Sequence, residues 1–292
     1  MPKMGLRIIL LSFFCLNFSC SVNVLGPFAD EDTDQALFEE AKIELSKANY
    51  TAAVTLFSQM SSKFLAESDI VNYHASAYAG RCGLDFLNFL LALENLGTTT
   101  LFQMLMTSYT GDDQTAKESR IADCDQATTI VEAAGLTAGD RDDDGNLLLA
   151  FVLFAKIGNT FARFADDDNG GGGAEESDGA VDTGWSACVD DTDNFPEADV
   201  RQYGVALMKT LNALAALSSS TVGSGVLTDL DAICTTLAGA PFNAPDLCNR
   251  TDPADFTADE VRALRTLAHE GTSLGLGSCT ASPDDLTNCV CL

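Results

Sequence analysis

The chain has 292 residues and a formal net charge of −27, and 46% of its residues are hydrophobic. This apolar content is enough for a substantial core, so a globally disordered chain is excluded. The carboxylate excess repels phosphate, which argues against nucleic-acid binding and against docking on anionic lipid through a basic patch. The acidic residues either form a solvated surface or bind divalent cations, and for most of them we favour the solvated surface.

The first twenty residues have the layout of an export signal. Lys3 and Arg7 precede an apolar run that ends at Phe18, and a small residue stands before Cys20. This order of positive flank, apolar core and small residue is that of a secretory signal. The apolar run is shorter than the about 20 residues that a membrane-spanning helix needs. We therefore expect residues 1–19 to be removed on export, with an ordinary secreted protein cut elsewhere as the alternative.

The residues around the predicted cleavage point resemble the box of bacterial lipoproteins. Leu16 is the aliphatic residue of that box, although it lies four positions before Cys20 and the family has it three positions before. The resemblance implies lipid attachment to Cys20, and several acyl chains make such an anchor essentially permanent. Ser21 follows the cysteine, which in enteric bacteria implies sorting to the outer membrane. Residues 20–33 would then be a short tether.

Eight cysteines remain once Cys15 and Cys20 are set aside. An even number in an exported chain fits up to four disulfides. A bridge between Cys82 and Cys124 is expected if their helices pack side by side, and a disulfide at Cys188 would tie its segment to the body. At least one of the last three cysteines is expected to pin the C-terminal tail. The candidates are Cys82, Cys124, Cys188, Cys234, Cys248, Cys279, Cys289 and Cys291.

A helical hairpin is predicted directly after the tether. Leu37, Ala41 and Leu45 recur at helical spacing, and Ala53 and Phe57 recur in the same way after a break at residues 49–51. Carboxylates and a threonine at the start suit the cap and the first turn of a helix.

The turn and second helix of this hairpin resemble a tetratricopeptide repeat. Tyr50, Ala53 and Phe57 occupy positions where the repeat has aromatic or small residues, and Ala41 occupies the small position of the first helix. A second, looser unit follows, so that the resemblance covers roughly residues 34–95. It implies stacked hairpins with a concave face that binds a partner.

Further helices are predicted along the rest of the chain, and period-two alternation is scarce. The fold class is therefore all-α, as a TPR-like α-solenoid or an irregular helical bundle. The composition divides the chain into a helical TPR-like region, a flexible acidic glycine-rich insertion and a C-terminal helical region, at 34–165, 166–196 and 197–292. The predicted later helices are 98–107, 114–134, 146–165, 197–218, 226–239 and 257–271.

The best-formed motif is the DxDxDG pattern that begins at Asp140. Alternate carboxylates and a turn-making glycine supply the oxygens that Ca²⁺ prefers, so Asp140, Asp142, Asp144 and the carbonyl of Asn146 are candidate ligands. Position twelve of an EF-hand is a glutamate and is Phe151 here, so only the first half of that loop is matched. The alternative is an acidic helix–helix turn without metal.

These features predict a cell-envelope lipoprotein that acts as a non-catalytic helical scaffold or binding protein for a partner protein or a small ligand. It would be lipid-anchored in the outer membrane, on the periplasmic or the surface face. A calcium-stabilised binding protein and an enzyme with an unrecognised site are the alternatives. The sequence contains no CxxC or HExxH motif and no recognisable Ser-His-Asp triad pattern. Zinc, haem and hydrolase sites are therefore not supported.

Overall fold

A computed structural model describes residues 33–93, 99–110, 113–135, 137–166, 178–217, 232–272 and 274–292. The predicted signal, Cys20 and most of the predicted tether lie outside the described residues, as does the glycine run at 170–173.

The secondary structure of the described part is helical, which confirms the all-α fold class. Two short 3₁₀ helices, Leu247–Asn249 and Pro253–Asp255, accompany the α-helices. The α-helices are α1 Asp34–Ser46, α2 Tyr50–Phe57, α3 Ser62–Leu65, α4 Ser68–Arg81, α5 Phe86–Leu93, α6 Leu101–Thr107, α7 Gln114–Ala134, α8 Asp143–Phe164, α9 Glu197–Ala216, α10 at 232–238 and α11 Ala258–His269.

Helices α1 and α2 form the predicted hairpin. The Thr33 side chain accepts a hydrogen bond from the Ala36 N–H and caps α1. Ala41, Ala53 and Phe57 are fully buried between the two helices and α4. The small side chains of Ala41 and Ala53 let the helix backbones approach closely, and the hairpin has a small hydrophobic core of its own.

Helix α4 connects this first core to a second, larger one. Ile70 and Ala77 belong to the core of the hairpin, whereas Ala75, Ala79 and the following Cys82 belong to the larger core. The helix packs against α2 on one side and against α7 on the other. The hairpin therefore joins the remaining helices through α4.

Helix α8 is the centre of the larger core. It packs against α4, α6, α7 and α9, and most of its residues are buried on every face. Within the described residues it is the helix long and apolar enough to cross a membrane, but 83% of the relevant window is buried inside the protein. A buried helix of a folded domain has the same composition, so this length and hydropathy are accounted for by the core.

The end of the predicted flexible insertion is packed on the core, which differs from the expectation for 166–196. Residues 178–196 have little regular structure, yet Trp185 and Phe195 are buried. The Arg265 guanidinium donates hydrogen bonds to the carbonyls of Ala187 and Phe195 at 2.8 and 2.6 Å. A buried arginine that satisfies backbone carbonyls orders a segment whose own composition is polar.

The C-terminal region is built on α11. Thr257 and Glu260 form a capping box at its start, which places the helix within the predicted range. Beyond it, the chain is held by the bridges Cys188–Cys291 and Cys279–Cys289. The Cys188–Cys291 bridge thus pins the tail to the body, as the crowding of cysteines there predicted, and the Cys279–Cys289 bridge closes a loop within the tail.

Candidate binding groove

A groove of about 760 Å³ lies between the hairpin and the start of α8. This volume is in the range of ligand sites in proteins. It is lined by Lys42, Leu45 and Ser46 of α1, Tyr50 of α2, Tyr73, Ser76, Ala79 and Gly80 of α4, residues 84–87, and Asp144, Leu147, Leu148 and Phe151 of α8.

Large apolar side chains are exposed along this groove. Tyr73 is 45% exposed, Phe86 47% and Leu87 67%, and Leu91, one turn beyond Leu87 on α5, is 51% exposed. A contiguous apolar surface of this kind is typical of a binding site, whereas isolated exposed apolar residues are ordinary. The groove and the adjoining face of α5 therefore form the candidate site.

The helix α5 is held in place by aromatic contacts with α8. The rings of Phe86 and Phe89 lie edge-on to the ring of Phe151, at centroid distances of 4.9 and 5.2 Å. Asp85 precedes the helix and its carboxylate accepts hydrogen bonds from the N–H and side-chain amide of Asn88. This anchoring buries Phe89 and leaves Leu87 facing solvent.

The other wall of the groove depends on close packing between α2 and α4. The Tyr50 ring lies directly on the backbone of Gly80, where a Cβ atom would overlap it. Glycine permits this approach because it has no side chain. The hairpin is thereby seated against α4 at the position where Tyr50 lines the groove.

A second depression of about 510 Å³ adjoins the groove and is acidic. The lining of this depression contains three carboxylates and no Lys, Arg or His. The carboxylates are those of Asp69 in the first turn of α4 and of Asp142 and Asp144 at the start of α8. Each of the two helix N-termini carries roughly half a positive elementary charge. The three carboxylates outweigh the two helix ends, which leaves a net charge of about −2.

The candidate calcium ligands lie in the turn before α8 and in its first turn. Asp142 caps the helix, with its Oδ1 accepting from the Gly145 N–H at 2.8 Å. Asp140 is exposed and accepts from the N–H and hydroxyl of Thr137, and these hydrogen bonds lower the pKa of its carboxyl. The Asp144 carboxylate is exposed at the acidic depression.

Asn146 does not lie in a loop, as a ligand of a calcium loop would. Helix α8 begins at Asp143, three residues earlier than predicted, so Asn146 lies within the helix and is buried. Its Oδ1 accepts from Arg141 at 3.0 Å, and its Nδ2 donates to the Ala138 carbonyl at 2.8 Å. The motif thus serves as a helix start in this structure, while calcium binding stays a prediction.

One group of potential metal-ligating residues is found in the described part of the chain, formed by Cys279, Asp284 and Cys289. The two sulfur atoms are joined to each other in a disulfide, so neither is a thiolate that could bind a metal. The carboxylate of Asp284 accepts a hydrogen bond from the Gly271 N–H at 2.8 Å. This group is therefore part of the fold of the tail.

All eight candidate cysteines are paired. The expected Cys82–Cys124 bridge joins the end of α4 to α7, and the four bridges span Cα–Cα distances of 5.1 to 6.0 Å, which is the range of ordinary disulfides. The bridges are Cys82–Cys124, Cys188–Cys291, Cys234–Cys248 and Cys279–Cys289.

The two histidines lie apart from the groove lining. His74 stacks on Phe57 at a centroid distance of 5.0 Å, and burial lowers its pKa. The Nδ1 atom of His269 lies 2.8 Å from the Ser278 hydroxyl, and burial also lowers the pKa of this imidazole. An activated serine nucleophile needs a histidine base and a third group that orients the histidine, and Ser278 and His269 supply only the first of these contacts. Neither histidine lines the groove or the acidic depression.

Comparison with family models, with curated proteins and with solved structures returns no match for this chain.

The sequence patterns single out Leu45, Tyr50 and Asp144 for other roles, but do not indicate that these residues line a common groove. The available signal was the run 84–93, which is more hydrophobic than a typical repeat. A partly exposed helix of that composition is typical of an interaction surface.

Proposed function

We propose that the chain is a non-catalytic binding protein of the bacterial cell envelope, and that the groove between α1, α4, α5 and α8 is its binding surface. The exposed apolar side chains of Tyr73, Phe86 and Leu87 carry the proposal. Burying such side chains against a partner removes apolar area from water, at about 25 cal/mol per Å².

The compartment is inferred from the disulfides and from the lipoprotein-like residues around Cys20. Four disulfides require an oxidising environment. The lipoprotein-like residues before Cys20 then mark this cysteine for attachment of the lipid anchor, and the outer membrane is the proposed destination. Cys20→Ser should abolish incorporation of labelled fatty acid and release the protein from the membrane fraction, and an unchanged distribution would contradict the anchor.

The binding surface is tested by affinity purification from solubilised envelopes with full-length protein. Leu87→Ser changes a side chain that is 67% exposed, and Val189→Ser is the matched control because Val189 is 41% exposed and does not line the groove. A partner lost from Leu87→Ser but retained by the control supports the proposal. Identical sets of co-purified proteins from the wild type and Leu87→Ser would count against it.

A further inference from the structure

The charges around the groove indicate the chemistry of its occupant. We propose that the groove binds a cationic, apolar polypeptide segment of a partner protein, with apolar side chains beside Phe86 and Leu87 and a Lys or Arg side chain in the acidic depression. This inference rests on the proposed function, because it names the class of partner for the same surface.

The apolar groove and the acidic depression form one continuous site. Tyr73, Ser76, Asp144 and Leu148 line both, so an occupant of the apolar part is in reach of the carboxylates. A bound chain therefore meets an apolar environment at one end and an anionic one at the other. Few ligands satisfy both ends unless they themselves have an apolar part and a cationic part.

The acidic end is available to a cation from outside. Asp142 uses one oxygen to cap α8, and Asp69 accepts a long hydrogen bond of 3.4 Å from the Ser68 hydroxyl. No hydrogen bond or ion pair to the Asp144 carboxylate is found within the described residues. Lys42, in the apolar part, is paired with Glu39 at 2.7 Å.

An anionic occupant is disfavoured by the same charges. A carboxylate or phosphate placed in the depression would face three like charges, which costs binding energy and slows association. A Lys or Arg gains from the same field, and its attraction weakens as salt is added. The depression thus acts on specificity while the apolar part contributes most of the buried area.

The extent of the apolar surface favours a polypeptide over a small molecule. Leu91 is 51% exposed on the same face of α5 as Leu87, yet it lies outside the groove lining. A small ligand held within the groove would leave this side chain in water. A polypeptide segment covers both residues, as peptides do when they lie along an apolar helix surface.

Selection from a random peptide library on the purified full-length protein tests the proposal. The variant Asp69→Asn/Asp144→Asn removes two charges from the depression. Asp193→Asn/Asp246→Asn is the control, because it removes two charges from exposed positions outside both linings. Peptides selected on the wild type should combine apolar residues with Lys or Arg. Their Kd should rise about tenfold in the depression variant and in high salt, and stay unchanged in the control.

The outcomes separate the inference from the proposed function. Selected peptides without a cationic bias, or an unchanged Kd in Asp69→Asn/Asp144→Asn, would overturn the inference, and the groove would stand if Leu87→Ser still weakened binding. Displacement of the peptide by Ca²⁺ but not by NaCl of equal ionic strength would show that both cations compete for the same carboxylates, and would support the cationic end of the proposal. Binding insensitive to Leu87→Ser would contradict the groove itself. Thermal melts of each variant verify that it is folded.

Discussion

The Cα atoms of Cys82 and Cys124 lie 5.1 Å apart, and their disulfide fastens the end of α4 to α7. Helix α4 contributes to both hydrophobic cores and to the lining of the groove. The bridge therefore fixes one wall of the groove relative to the central helices, and it links the stability of the fold to the shape of the site.

Removal of this bridge should be costly. The closed segment spans 42 positions, for which the loss of chain entropy in the unfolded state corresponds to about 4 kcal/mol. Cys82→Ala/Cys124→Ala should lower the free energy of unfolding by about that amount in urea titrations. The Cys279–Cys289 bridge closes only 10 positions, so its removal should cost about 3 kcal/mol. A larger loss for the shorter bridge would contradict this account.

The contact between Tyr50 and Gly80 predicts that the effect of Gly80→Ala on stability changes sign when the Tyr50 ring is removed. Alanine is a better helix former than glycine by about 1 kcal/mol, yet Gly80→Ala should destabilise the protein by about 1 to 3 kcal/mol because its Cβ overlaps the Tyr50 ring. In the background Tyr50→Ala, the same substitution should be stabilising. Urea titration of the four proteins measures the coupling, and additive effects would show that the two residues do not meet.

The burial of the Asp166 carboxyl predicts that the stability of the fold depends on pH. Its carboxylate accepts hydrogen bonds from the N–H groups of Asp178 and Gly179 at 3.0 and 2.9 Å, and burial raises its pKa from 3.8 to about 6. The folded state thus binds this proton more tightly than the unfolded state. The contribution of Asp166 to stability is fully present below the unfolded pKa and declines as the pH rises from about 4 to about 6.

The variant Asp166→Asn isolates this contribution from other titrating groups. Asparagine keeps the size and one acceptor oxygen but does not titrate. Unfolding free energies of the wild type and Asp166→Asn, measured from acid to neutral pH, should diverge, with the wild type losing stability relative to the variant as the pH rises. Parallel profiles would contradict the raised pKa.

Much of the helical framework was accessible from local sequence patterns. The hairpin at Leu37, Ala41 and Phe57, and the start of α11 near Thr257, follow from apolar periodicity and capping residues. These signals are local, because a helix buries one face and starts at a hydrogen-bond acceptor. The start of α8 was placed too late because aspartates and glycine serve equally well in a loop and in a first helical turn.

The groove and the packing of residues 178–196 depend on contacts that are distant in sequence. Arg265 lies 70 positions after Phe195, whose carbonyl it binds, and nothing in the local composition near Trp185 signals that partner. Likewise, Asp69 and Asp144 line one depression only because α4 and α8 begin beside each other. The acidic motif at Asp140 is visible in the sequence, but its neighbour Asp69 on α4 is brought to it only by the fold.

The calcium prediction can be tested without disturbing the start of α8. Asp142→Ala would remove the helix cap with or without metal, so Asp142→Asn/Asp144→Asn is preferable, because asparagine also caps helices. A bound Ca²⁺ should raise the Tm of the wild type over that in chelator, and this shift should vanish in the double variant. Asp193→Asn/Asp246→Asn should retain the shift. Equal Tm values with Ca²⁺ and chelator in the wild type would refute calcium binding.

The central claim is that the groove binds a partner in the envelope, and photo-crosslinking in intact cells tests it most directly. A photoreactive amino acid is placed at position 87, whose native leucine is exposed in the groove, or at position 189, whose native valine is exposed outside it. The account predicts a discrete crosslinked species from position 87 that is absent from position 189 and is reduced by Asp69→Asn/Asp144→Asn. The absence of a product from position 87, or the same products from both positions, would contradict it.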